Sequence, residues 1–292
     1  MTNLQQENRT DMVIGVREVQ SILERHSIVP SRSLGQNFVT DPNIIRKIVR
    51  LADLGPEDQV LEIGAGFGSL TCELGQAKRV IAIEFDRYLL PALEETLEET
   101  GMKEKTEILH RDAMEIKWDE FFLRRPGNWK MVSNLPYNIS SPLLLDLLDH
   151  APQVEQMLVM VQREVGERFV AEVGSSNYGI PSVKAQYWSE ISIIGQVPPK
   201  VFFPVPKVES VLLKFTRRKN IEKVDLETMW KLLKVGYGQR RKMLRKSLKG
   251  LVGATGFNSA GLDPKSRPQD LTVNDWISLA TVVEDERHDG FE

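Results

Sequence analysis

The run Gln59-Val-Leu-Glu-Ile-Gly64-Ala-Gly-Phe-Gly68 constrains the fold of this chain more than any other stretch. Its first five residues read as a buried strand, and the glycines follow without a break. Strand, glycine loop and helix, in that order, form the context in which backbone approaches a nucleotide closely. Glycine suits the loop because the turn is tight and a side chain would hold the ligand away. The pattern predicts a helix from Ser69 towards Gln76. A second apolar strand, Arg79-Val-Ile-Ala-Ile-Glu84, ends in a carboxylate twenty residues beyond Gly64. An acid there can accept both hydroxyls of a ribose.

The alternation continues along the chain. A helix over about 89–100 leads to a strand at 106–110, with Asp112 just past its carboxyl end. Asp112 can accept from an adenine amino group or cap a turn. A fourth strand, Trp129-Lys-Met-Val-Ser133, runs into Asn134-Leu-Pro-Tyr137 and then a helix. A fifth strand covers 156–161, a helix 162–173, a loop 174–179, and two last strands lie at 191–194 and 210–215. This order predicts a mostly parallel, doubly wound α/β sheet, whose ligands bind outside the carboxyl ends of the strands.

Asn134-Leu-Pro-Tyr137 lies at such an end, and its residues suit a flat, amino-bearing base. Asn134 offers a side-chain carbonyl, the Leu135 carbonyl is held by the restriction that Pro136 imposes, and Tyr137 offers an aromatic face. Further on, the stretch 197–208 contains four prolines and reads as a stiff, extended crossing that carries Phe202 and Phe203. One of these phenylalanines can cover a base from the side opposite Tyr137. An irregular segment, Ser33-Leu-Gly-Gln-Asn-Phe-Val39, precedes a helix signalled by Asp41 and Pro42 and reads as a connection or a lid.

Other chemistries are excluded. The loop glycines fall at 64, 66 and 68 rather than in the Gly-x-Gly-x-x-Gly of dinucleotide enzymes, and no phosphate-binding lysine follows. The single cysteine, Cys72, rules out a disulfide framework, and the four histidines have no metal-ligand spacing, so no metal is expected. The chain carries no signal-like N-terminal run and no membrane-length apolar stretch, so a cytoplasmic protein is expected.

Charge is unevenly spread. Residues 214–250 hold thirteen Lys or Arg against three Asp or Glu, a net +10 within a chain of −3, which leaves −13 on the rest. Concentrated cations on an acidic body suggest a polyanionic partner. At 100° per residue, a helix over 239–249 would place Arg241, Lys242, Arg245, Lys246 and Lys249 on one arc.

These motifs together resemble the S-adenosylmethionine-dependent adenine-N6 dimethyltransferases of ribosomal RNA, and among them the bacterial small-subunit enzymes (the KsgA/RsmA family). The resemblance runs from about Ser33 to Leu248. It rests on the segments at 33–38, 61–68, 111–113, 134–137, 162–164, 202–208 and 239–244, in that order. It implies a Rossmann-like class I methyltransferase domain over 33–216, preceded by a lead-in over 1–32. A small all-α RNA-binding domain would follow over 217–292.

It also implies roles for single residues. Gln36, Asn37 and Val39 would close over the methionine end of S-adenosylmethionine. Gly64 would contact it through the backbone, Glu84 would hold the ribose, Asp112 would read the adenine, and Asn134 would stand between cofactor and substrate. Asn134, Leu135, Pro136, Tyr137 and Phe202 would form the catalytic set, with Tyr137 and Phe202 sandwiching the target base. The implied substrate is a pair of adjacent adenines in a hairpin loop near the 3′ end of small-subunit RNA, met in an immature 30S particle by a monomeric enzyme. A large-subunit enzyme of the macrolide-resistance (Erm) type is the alternative within the class, although its motif usually has Ile where this chain has Leu135. A non-catalytic assembly or transcription factor on the same fold is the alternative outside it.

Overall fold

The computed structural model describes residues 15–31 and 33–289, and residues 1–14 of the expected lead-in lie outside that range. Seven strands form the main sheet: β1 (Gln59–Ile63), β2 (Arg79–Glu84), β3 (Thr106–His110), β4 (Trp129–Asn134), β5 (Val154–Gln162), β6 (Ser189–Val197) and β7 (Ser210–Arg217). Their spatial order is β3-β2-β1-β4-β5-β7-β6. Strands β3, β2, β1, β4 and β5 pair in parallel, while β7 pairs antiparallel with β5. The order reverses at β1, so the carboxyl ends of β1 and β4 flank the crevice where such sheets bind ligands. β1 and β2 are apolar and buried along nearly their whole length, as expected for strands covered on both faces.

The loop after β1 does not open a full helix. Only a short 3₁₀ turn, Thr71–Glu73, forms where a helix over 69–76 was expected. The loop glycines hold their left-handed conformations (φ +78° at Gly64, +62° at Gly66, +92° at Gly68), and the chain then turns towards β2. The helix Pro42–Ala52 begins as its sequence signals, with Asp41 accepting from the Asn43 amide at 2.9 Å. A two-stranded ribbon pairs Phe38–Val39 antiparallel with Phe202–Phe203, joining the segment before that helix to the proline-rich crossing.

The chain divides into two compact units. Among the described residues, one comprises those up to Gly166 together with Ser192–Arg217, and the other comprises Glu167–Ile191 together with those from Arg218 onward. Two expectations are corrected. Helix Val16–Arg25 is no separate lead-in: Val19, Ile22 and Leu23 bury against Phe38, Phe67, Leu89 and Ala92 of the sheet unit. Residues 167–191 belong to the helical unit rather than the sheet unit. Tyr178, Val183 and Tyr187 pack there with Met229, Leu232 and Trp276, an apolar cluster these aromatics help complete.

Within the helical unit, residues 239–249 are not one helix. Helix Leu226–Gly238 stops at its terminal glycine, Gln239 leaves the helical region, and only Leu244–Ser247 forms a further single turn. The amides of Leu244 and Arg245 donate to Ser266 and Pro264 instead of to the preceding turn. These tertiary bonds replace the i−4 ladder that the periodicity implied.

Candidate active site

A cleft opens at the carboxyl ends of β1, β2, β3 and β4, and it gathers residues that are far apart in the chain. Its lining includes Gln36, Asn37, Gly64, Glu84, Asp112, Asn134, Leu135, Pro136 and Tyr137. Val39 and Phe202 are absent from that lining.

Glu84 ends β2 and is 6% exposed. Its Oε2 accepts from the Gly66 amide at 2.7 Å and its Oε1 from the Asp86 amide at 2.8 Å. Burial raises its pKa, while the amides of Asp86 and Gly66 oppose that shift by binding the charged form. Each oxygen keeps a second lone pair for another donor. At the end of β3, Asp112 accepts from the Met114 amide through Oδ1 at 2.8 Å.

The loop after β4 is seated on the glycine loop. A Cβ on Gly64 would meet the Pro136 ring at 3.0 Å, so the two backbones can approach this closely only because residue 64 is glycine. Leu135 donates its amide to the Met160 carbonyl at 3.2 Å, and the Ser133 hydroxyl accepts from the Ile63 amide at 2.9 Å. These bonds tie the loop to β5 and β1. The Asn134 Nδ2 donates to the Asn37 carbonyl at 2.9 Å. That bond sets the amide orientation and leaves Oδ1 as the acceptor end. The Tyr137 hydroxyl meets the buried Ser210 hydroxyl at 2.6 Å. Burial raises the phenol pKa and the Ser210 bond opposes the shift, which keeps the ring neutral.

The segment before Phe38 roofs the cleft, and Gln36 fastens it. Its Nε2 donates to Asp86 Oδ2 at 2.7 Å and its Oε1 accepts from the Ser31 amide at 2.7 Å. Both ends of the amide are therefore committed to protein partners. Asp86 links this fastening to Glu84, and Ser210 links Tyr137 to β7. Sequence reasoning missed both. Asp86 stands two residues after Glu84 on a strand-to-helix turn, a visible signal, whereas Ser210 reaches Tyr137 only through strand order.

Phe202 is a correction. It is 2% exposed, buried in the core with Val39, Ile45 and Ile48, so it offers no face to a base entering the cleft. Alternation along the ribbon turns Phe202 inward and leaves Phe203 37% exposed. Val39 shares the inward face and lines a smaller cavity with Glu62, Gly64, Gly66 and Asn134. Arg241, Lys242, Arg245, Lys246 and Lys249 are all exposed, and none forms an ion pair among the described residues. Arg240 instead donates to the Ser175 and Ser176 carbonyls. Among the described residues no group of three or more His, Cys, Asp or Glu could hold a metal, and no helix is long and apolar enough to cross a membrane.

The reversed strand order, the cradle of positive-φ glycines and the acid ending β2 define a class I, Rossmann-like methyltransferase fold. The chain belongs to the ribosomal RNA adenine dimethylase family, whose model matches residues 30–285. A ribosomal RNA small subunit methyltransferase A from Kineococcus radiotolerans is 41% identical over 96% of this chain and 94% of its own. The protein of that name from Corynebacterium glutamicum strain R is 38% identical over 93% and 96%. Among solved structures, a dimethyladenosine transferase from Plasmodium falciparum superposes with a TM-score of 0.75 at 25% identity, over 86% of this chain and 98% of that one. The 23S rRNA methyltransferase ErmE shares the fold, with a TM-score of 0.66 at 24% identity, over 85% of this chain and all of that one.

Proposed function

We propose that this protein transfers methyl groups from S-adenosylmethionine to N6 of two adjacent adenines in small-subunit ribosomal RNA. Its substrate would be a hairpin loop near the 3′ end, presented in an immature 30S particle. The carrying observation is the convergence of Gly64, Glu84, Asp112 and Asn134–Tyr137 in one cleft of one chain. Action as a monomer in a cytoplasmic setting is part of the same reading.

The residues fit an adenosine-bearing cofactor. The glycine cradle admits close approach, Glu84 keeps lone pairs for a ribose diol, and Asp112 keeps Oδ2 for an exocyclic amine. Because both ends of the Gln36 amide are committed, its role is to fasten the roof over the methionine end while the Asn37 backbone borders it. When bound, the sulfonium supplies an activated methyl group and its own leaving group.

The protein then positions the acceptor. An adenine N6 lone pair is delocalised into the ring and is a poor nucleophile. Asn134 Oδ1 and the Leu135 carbonyl accept from its protons, favour pyramidal geometry and stabilise the positive charge that develops. Tyr137 stacks on the base. Its neutral hydroxyl is engaged by Ser210, so the proton leaves N6 to water or through Asn134 after transfer. Loop bases suit this cleft because they are extruded at lower cost than paired ones. The exposed cations of residues 241–249 contact RNA phosphates.

Two measurements test the reading. Small-subunit particles lacking the modification and large-subunit RNA, each incubated with radiolabelled S-adenosylmethionine, should differ: the small-subunit RNA should take up label and gain primer-extension stops at two adjacent adenines. Label confined to large-subunit RNA would assign the Erm-type activity, and no label on either RNA would leave a non-catalytic factor. Glu84→Ala should weaken S-adenosylmethionine binding by about 1.5–3 kcal/mol in calorimetry, as for a hydrogen bond to a charged group. Unchanged affinity with the fold intact would remove Glu84 from the site.

A further inference from the structure

The proline-rich crossing has two attachments to the cleft and an apolar outer edge that the reaction described above leaves unused. At its start, the ribbon pairs Phe203 with Phe38 and Phe202 with Val39. Directly opposed residues of an antiparallel pair share a face, and their neighbours take the other. Val39 and Phe202 occupy the core face. The other face carries Phe38, which lines the cleft and packs on Phe67 at 4.7 Å, and beside it Phe203. At its end the crossing reaches Ser210, whose hydroxyl holds Tyr137.

Between these attachments Phe203, Val205 and Val208 are 37%, 63% and 45% exposed. Single exposed apolar residues need no explanation. Three within six residues, on an arm stiffened by Pro204 and Pro206 and fixed at both ends to cleft residues, form a persistent apolar edge. Lys200 and Lys207 are exposed on the same stretch. An exposed aromatic flanked by cations matches single-stranded RNA, which offers base faces for stacking and phosphates for charge.

We propose that Phe203 stacks the nucleotide next to the target adenine, with Val205 and Val208 extending the apolar edge and Lys200 and Lys207 facing the RNA backbone. The inference rests on the cleft being the site of RNA adenine methylation. While one adenine occupies the cleft against Tyr137, its neighbour leaves along the arm that Ser210 ties to that tyrosine. For a substrate of two adjacent adenines, the arm would hold one base while the other reacts.

The test uses the full chain and small-subunit particles reconstituted with RNA carrying the target adenines, alongside particles whose RNA has an abasic site on either side of the target. Phe203→Ala should raise KM for intact RNA about 5- to 150-fold, the range for loss of one stacked base. Phe203→Trp should restore it, and S-adenosylmethionine affinity should be the same in all three proteins. With one of the two abasic RNAs the wild type should fall to the level of Phe203→Ala, and the variant should lose nothing further. Multiplicative losses on both abasic RNAs, or an unchanged KM in Phe203→Ala, would overturn the proposal. A change in sedimentation of Phe203→Ala would overturn it in favour of a second copy of the chain on this edge. A wild type inactive on every particle, those with intact RNA included, would instead overturn the functional reading beneath it.

Discussion

Tyr137 illustrates how one side chain can serve through two of its parts. In the proposed reaction its ring is the platform, while its hydroxyl is an anchor that meets Ser210 at 2.6 Å. Tyr137→Phe keeps the face but leaves the buried Ser210 hydroxyl unpaired, at a cost of about 1–3 kcal/mol. Tyr137→Ala should forfeit a further ~1–3 kcal/mol of stacking in single-turnover methyl transfer. The double variant Tyr137→Phe with Ser210→Ala should be no slower than Tyr137→Phe alone, because the two changes remove one bond. Glu62 makes a different prediction. Its carboxyl is buried, Oε2 has no partner, and burial with Glu84 nearby pushes its pKa up to about 8, against a Thr71 contact that lowers it. The folded state therefore holds a proton that the unfolded chain releases near 4.5. The stabilising effect is complete below that pH and is lost as pH rises through about 8. Glu62→Gln should flatten the fall in Tm across that window, and a profile that parallels the wild type would show that Glu62 does not titrate there.

At the scale of elements, the last residue of β7 secures a helix end. Arg217 donates to the carbonyls of Leu147, Leu148, Ala151 and Val154 at 3.0–3.3 Å, closing the C-terminus of helix Ser140–His150. Its burial lowers the guanidinium pKa to about 10, opposed by Asp149, yet it remains charged at neutral pH. A cation at that end satisfies orphan carbonyls and faces the negative pole of the helix. Arg217→Met should destabilise the protein by about 2–4 kcal/mol in denaturant unfolding, since several charge-assisted bonds are lost together. A loss under ~0.5 kcal/mol would mean that solvent replaces them. The sheet itself was legible from sequence, because apolar runs ending at Gly64, Glu84, Asp112 and Asn134 are local signals. The same signals brought Glu84, Asp112 and Asn134 to one cleft edge. The inward turn of Phe202 was not legible, since it depends on pairing with a ribbon partner 163 residues away at Val39. Nor was the interruption after Gly238, where bonds to Ser266 and Pro264 outweigh a favourable helical period.

For the molecule as a whole, the polarity of charge should govern RNA affinity. Replacing Arg241, Arg245 and Lys249 with Gln removes three exposed cations that form no ion pairs among the described residues. The slope of log K against log salt should fall by about 2–3 units if all three touch phosphates, at ~0.7–0.9 per contact. An unchanged slope, with S-adenosylmethionine binding and circular dichroism intact, would assign these side chains to solvent. The discontinuous helical unit carries a separate consequence, for biogenesis. Synthesis runs from the N-terminus, so residues 167–191 leave the ribosome before any of the residues after Arg217 that bury Tyr178 and Tyr187. At about 5–20 residues per second, those aromatics wait several seconds for their partners. A nascent chain halted at Arg217 would display them to the cell's chaperones, while one released at full length would not.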